Sequence, residues 1–134
     1  MEFTRSLKQN HLFRRLYQRG KSSAGRSVVV YCRKNGLPYN RLGLTAGTKV
    51  GNAVTRNRIR RRIREAYRLS EYRYRKGYDI VVVARSRAAE ADYREIAECL
   101  LRQSEKLGLI RKETPYEAPA PAPDPGVPEM DLTP

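Results

Sequence analysis

The chain has 134 residues, 40% hydrophobic and 31% charged, and its 28 lysines and arginines against 14 acids give a formal net charge of +14. That length holds one domain of ordinary size and a tail, and with only Cys32 and Cys99 neither a disulfide framework nor a cysteine-rich zinc site is available. No apolar run approaches the roughly 20 residues that span a bilayer, and MEFTRSLKQNHLFRR at the N-terminus lacks the apolar core and small-residue cleavage site of an export signal; a cytoplasmic protein with reduced thiols is expected.

In chain order, Leu12, Phe13, Leu16 and Tyr17 recur at helical spacing, which predicts a short helix capped by Asn10 and ended by Gly20. After the polar loop GKSSAG, RSVVVYCR at 26–33 is rich in β-branched residues and reads as a strand. Val28, Val30 and Cys32 share one face, and Val29, Tyr31 and Arg33 the other, an odd set for a core. The turn NGLPYN leads to a second strand, RLGLTAG at 41–47, antiparallel to the first if the turn closes a hairpin. A helix follows over about 55–70, and then YDIVVVAR at 78–85, apolar on both faces, as a strand covered on both sides. The last helix is expected from Ala89 to Leu107, with Tyr93, Ile96, Ala97, Leu100, Leu101 and Leu107 as its buried stripe and Gly108 as its stop. From Glu113 onward the chain holds seven of its eight prolines, five acids and no base, so residues 113–134 are expected to form a disordered acidic tail. Residues 1–112, the expected domain, then carry 28 basic and nine acidic side chains, a charge of +19. Such a body gains from releasing counterions on a phosphate backbone, so nucleic acid is the leading partner, with neither a membrane nor a small-molecule substrate.

The predicted middle helix, in GNAVTRNRIRRRIREAYR at 51–68, holds seven arginines. At about 100° per residue from Ile59, Ile63, Ala66 and Tyr67 fall within about 80° and make an apolar stripe. Asn57, Arg61, Arg64 and Arg68 fall on the opposite side, with Arg58, Arg60 and Arg62 on the flanks. Uniform charge at one-and-four spacing destabilises a bare helix, and guanidinium binds phosphate as a bidentate fork, so the pattern points to RNA. Upstream, TAGTKVGN places Lys49 and two glycines before the helix start, either a phosphate cradle or a plain turn.

KVGNAVTRNRIRRRIREAYR after GLTAG closely resembles the signature of the protein subunit of bacterial ribonuclease P. LKQNHLFRRLYQRGKS resembles that family's first helix, VVVYCR and YDIVVVARSRAA resemble its strands, and the likeness covers about residues 5–110. The resemblance implies a two-layer α/β sandwich of αβββαβα order. It also implies a left-handed βαβ crossover, against a rule obeyed in about 98% of such connections. The residue pattern shows three strands where this order needs a fourth, expected near 21–26 or 48–51. The resemblance further implies that Arg56, Asn57, Arg58, Arg60, Arg61 and Arg64 contact the catalytic RNA, with Asn57 near a metal ion; Lys49 and Arg68 join this set by position. Phe13, Tyr17, Val29 and Tyr31 are implied to line a cleft for the single-stranded 5′ leader of precursor tRNA, which accounts for the odd strand face that also carries Arg33.

No side chain reads as catalytic: His11 stands without a carboxylate nearby in sequence, and Asp79 and Asp92 form no evident metal pair. The resemblance assigns the chemistry to a magnesium-dependent RNA subunit. Two other readings of the same helix are a ribosomal or RNA-chaperone protein that binds rRNA, and an autonomous ribonuclease.

Overall fold

A computed structural model describes residues 1–111; the predicted acidic tail lies outside the described residues. The elements are β1 (Thr4–Ser6), α1 (Asn10–Arg19), β2 (Lys21–Ala24), β3 (Val28–Lys34), β4 (Asn40–Ala46), α2 (Ala53–Ser70), β5 (Tyr78–Ala84) and α3 (Tyr93–Lys106), with short 3-10 turns at Thr48–Val50, Glu71–Arg73 and Ser86–Ala89. From α1 onward this is the expected αβββαβα order. The fourth strand is β2, whereas 48–50 is a turn, and β1 is an addition that residue patterning did not show.

The sheet runs β1-β4-β5-β3-β2. The expected hairpin between β3 and β4 does not form, because β5 lies between them, antiparallel to β3 and parallel to β4. The reason is burial: Ile80, Val81 and Val82 are all inaccessible, and a strand apolar on both faces has to sit centrally with a neighbour on each side. The turn therefore spans the end of β5. Leu37 N–H donates to Asn35 Oδ1 at 2.8 Å, Asn35 N–H donates to Gly77 O at 2.9 Å, and Gly36 takes a left-handed φ of 72°.

Most of the core lies on one side of the sheet. There Val28, Val30, Cys32, Leu42, Ile80 and Val82 meet Ile59, Ile63 and Tyr67 of α2 and Ile96 and Leu100 of α3. The other side has α1 alone, where Leu16 and Leu7 are buried on Val81 with Leu12, Phe13, Tyr31 and Val83 half-buried around them. The hand of the β4–α2–β5 connection follows from β4 itself. Asn40 N–H donates to Phe3 O at 2.8 Å and Leu42 O accepts from Leu7 N–H at 2.9 Å, so even-numbered residues turn their main chain toward β1. Their side chains, Asn40 and Leu42, meet α2. For L-residues in a strand seen running upward with α2 in front, that puts β1 on the right and β5 on the left, a left-handed crossover.

All three helix starts differ from expectation, two of them because of a capping side chain. Helix α1 begins at Asn10, with Gln9 as a cap that makes no side-chain bond, and α3 begins at Tyr93 rather than Ala89, because Asp92 caps it by accepting from Glu95 N–H at 2.8 Å. Helix α2 starts at Ala53 because Asn52 Oδ1 accepts from Thr55 N–H at 2.9 Å.

Strand β1 is held by one carboxylate. Glu71, at the C-terminal end of α2 and 4% exposed, accepts from Glu2 N–H at 2.7 Å, Phe3 N–H at 3.1 Å and Thr4 Oγ1–H at 2.5 Å. Thr4 also meets Tyr67 Oη at 2.8 Å, and Asn40 donates to the same phenol at 3.3 Å. Burial raises the Tyr67 hydroxyl above the usual phenol range, so it stays a neutral partner here. Removing the carboxylate in Glu71→Ala takes the acceptor from two part-buried amides and leaves the Thr4 hydroxyl with Tyr67 alone. We expect a loss of about 2–3 kcal/mol, seen as a lower urea midpoint at unchanged slope, and faster amide exchange over residues 2–7.

Candidate nucleic-acid interface

The predicted apolar face of the arginine helix is realised, and so are three of the four residues expected on its outward face. Ile59, Ile63, Ala66 and Tyr67 are buried, Asn57, Arg61 and Arg64 are exposed, and Arg56, Arg58, Arg60 and Arg62 are half-buried flanks. The flanks are not equivalent. Arg62 donates to Ala91 O at 2.9 Å, and its guanidinium is held below its ordinary pKa by burial and then by the Arg58 and Arg61 charges, which outweigh the opposing Asp92. Arg56 and Arg58 each keep a buried Nε–H with no acceptor among the described residues. Such a donor costs about 1–3 kcal/mol while it stays unsatisfied, and a phosphate oxygen is the acceptor that also suits its charge. Arg68 departs from the predicted outward set. Its guanidinium is locked on Glu65 by two bonds of 2.8 and 2.6 Å and presents no free charge.

At the helix start Lys49 is exposed on the Thr48–Val50 turn. Because Asn52 already occupies Thr55 N–H, the first turn offers fewer free amides to a phosphate than the glycines suggested. Asn57 Oδ1 accepts from Arg60 Nη2 at 2.5 Å, and its sequence neighbours are arginines. Among the described residues no group of three or more His, Cys, Asp or Glu side chains could hold a metal ion. This donor set does not fit a protein-held magnesium ion.

The other surface is the α1 side of the sheet. Because one helix covers five strands there, Val29, Tyr31, Arg33 and Val83 stay half-exposed. Tyr17, 42% exposed, sets its ring edge-on to Tyr31 at 4.9 Å between centroids, and Phe13 lies 6.5 Å from Tyr17. The predicted cleft residues Phe13, Tyr17, Val29, Tyr31 and Arg33 are thus brought to one face. Gly43 makes the floor possible, since a Cβ there would sit 2.5 Å from Phe13 Cζ. Arg33 pairs in register with Asp79, whose carboxylate is already taken by Arg41 at 2.7 and 2.8 Å and by Asn35 at 3.0 Å. Asp79 is therefore engaged away from Arg33.

Residue patterning missed Arg5 and the edge of β4. A cavity of about 340 Å³ joins the two surfaces there, lined by Arg5 and Ser6, by Phe13, by Leu44 and by Arg60 and Arg64 among others. No span of charge or period signals it, because it is made by where β1 stops.

An α/β sandwich with a cationic helix on one side of its sheet and an exposed aromatic patch on the other belongs to the RNA-binding class of basic proteins. The relatives make the class specific. A ribonuclease P family profile matches residues 1–108. The ribonuclease P protein component of Alkaliphilus metalliredigens is 42% identical over 110 residues, 82% of this chain and 99% of that protein. The Staphylococcus aureus RNase P protein superposes with a TM-score of 0.73 at 34% identity, covering 79% of this chain and 97% of that one. That from Thermotoga maritima superposes at 0.67 and 36%, covering 72% and 92%. The chain belongs to the ribonuclease P protein family.

Two substitutions separate the floor of the cleft from its surface. Gly43→Ala forces Phe13 aside and is expected to cost about 1–3 kcal/mol in thermal or urea unfolding. Tyr17→Ala, at an exposed ring, should shift stability by no more than about 0.5 kcal/mol while weakening single-stranded RNA about 5-fold or more in a titration, the worth of roughly one stacked base.

Proposed function

We propose that this chain is the protein half of a cytoplasmic ribonuclease P ribonucleoprotein that removes the 5′ leader of precursor tRNA, and that it works by binding two RNAs at once. The observation that carries this is the placement of its two surfaces on opposite sides of one sheet, α2 on one and the aromatic patch on the other. The catalytic RNA lies on α2, where Arg56, Asn57, Arg58, Arg60, Arg61 and Arg64 meet phosphates, with Lys49 beside the helix start and Arg68 held back by Glu65. The buried, unsatisfied Nε–H groups of Arg56 and Arg58 support this assignment. The leader lies across Phe13, Tyr17, Val29, Tyr31 and Arg33, where rings stack on unpaired bases. Residues 1–112 carry the binding, and the acidic stretch 113–134 is a separate tail.

Hydrolysis of the phosphodiester is the task of the RNA subunit with magnesium ions held by its own phosphates. Three of the described carboxylates are committed elsewhere: Asp79 to Arg41 and Asn35, Asp92 to the cap of α3, and Glu71 to β1. Cationic α2 screens the repulsion between catalytic RNA and substrate, and so raises affinity for substrate and for the metal ions that RNA holds.

Reconstitution with ribonuclease P RNA at low magnesium, on precursor tRNAs with leaders of several lengths, tests the reading. The expected result is protein-dependent cleavage whose gain grows with leader length; cleavage by the protein alone, or no gain, would overturn it. Arg61→Ala and Arg64→Ala should each lower the salt slope of RNA binding by about one phosphate contact. Tyr31→Ala should weaken leader-bearing substrates and leave mature tRNA unchanged.

A further inference from the structure

The cavity at the edge of β4 lies between the two assigned surfaces. Strand β1 pairs with β4 only at Asn40, Arg41 and Leu42, so Leu44–Ala46 has no strand on that side. By the alternation fixed at Asn40 and Leu42, the N–H and C=O of Leu44 point to this open side, into a space of about 340 Å³. Its other walls include the guanidinium residues Arg5, Arg60 and Arg64, the ring of Phe13, and Ser6, and no carboxylate among the described residues lines it. Arg5 stacks its guanidinium 4.1 Å over the Tyr39 ring beside the cavity, a contact a phosphate would compete with.

We propose that this cavity takes one unpaired RNA nucleotide, its base against Phe13 and the Leu44 main chain and its phosphates on Arg5, Arg60 and Arg64. Each feature selects a part of that ligand. Three cations without an acid select a polyanion. An aromatic wall selects a flat ring, and an adjacent main-chain donor and acceptor match the adjacent acceptor and donor that every base carries on its pairing edge. Because all four bases meet that requirement, the site reads the unpaired state rather than the sequence. Phe13 is shared with the leader cleft and Arg60 and Arg64 with α2, so the nucleotide bridges the two surfaces. The inference rests on RNA being the partner, and an acidic peptide added along the same edge is the rival occupant.

The test uses fluorescein-labelled hexauridylate carrying 4-thiouridine, with the full chain. Ser6→Trp, which fills the cavity, and Arg5→Ala should each weaken its binding about 5-fold or more, Arg102→Ala on α3 should leave it unchanged, and near-ultraviolet crosslinks should map to peptides containing residues 3–7 or 42–46. Should Ser6→Trp not fold, Arg5→Ala and the crosslinks decide. Wild-type affinity in both variants, or crosslinks confined to residues 28–33 and α2, overturns the cavity while leaving RNA binding intact, provided Arg61→Ala still weakens the oligonucleotide. Loss of binding by an acidic peptide of the sequence 113–134 in these variants, with hexauridylate unaffected, overturns it in favour of strand addition. No hexauridylate binding by the unaltered chain overturns both this inference and the RNA reading beneath it.

Discussion

Strand β5 carries Ile80, Val81 and Val82 in succession, with no exposed side chain among them. Burying both faces of one strand requires cover above and below the sheet and a partner on either edge. The two covers are unequal: α2 and α3 on one side, and the ten-residue α1 on the other. That inequality makes the molecule useful, because a five-stranded face under one short helix has to leave sheet uncovered. The uncovered part carries Tyr31, Val29 and Arg33, so the deficit in covering helices is also the supply of stacking surface.

The second organising tension is charge. Seven arginines within residues 56–68 would repel one another on an isolated helix. The helix is held by burial of Ile59, Ile63 and Tyr67 and by the Asn52 cap, while only Arg68 among the described α2 arginines is held in an ion pair. Tertiary packing thus sustains an electrostatic arrangement that local energetics opposes. The cost is concentrated at Arg56, Arg58 and Arg62, where burial and like charge coincide, and a polyanion relieves it.

How much of this could be read from residues alone depends on whether the determining interaction is periodic. The α2 faces were legible because Ile59, Ile63 and Tyr67 recur at one turn, and the odd face of β3 because alternation separates Val29, Tyr31 and Arg33 from Val28, Val30 and Cys32. The starts of α2 and α3 were legible in principle, since Asn52 three residues before Thr55 and Asp92 three before Glu95 are capping spacings, but the apolar period drew the boundaries elsewhere. Strand order was not legible. Nothing local in NGLPYN says that another strand will pass between the segments it joins, and a hairpin is the cheaper inference. Strand β1 and the cavity beside it were hidden for the same reason, because Glu71 and Thr4 meet across 67 positions of sequence.

The position of β5 has a consequence for how the chain is made. Synthesis delivers β2 and β3, which can pair at once, but β4 has only the three residues of β1 as an earlier neighbour. The sheet cannot close until Tyr78–Ala84 has emerged, by which time all of α2 is already outside with no finished surface to pack on. For that interval the most cationic stretch of the protein is a nascent segment without a core, held beside the ribosome's own RNA. Completing β5 is therefore also the event that turns a generally adhesive polycation into a helix with one defined face.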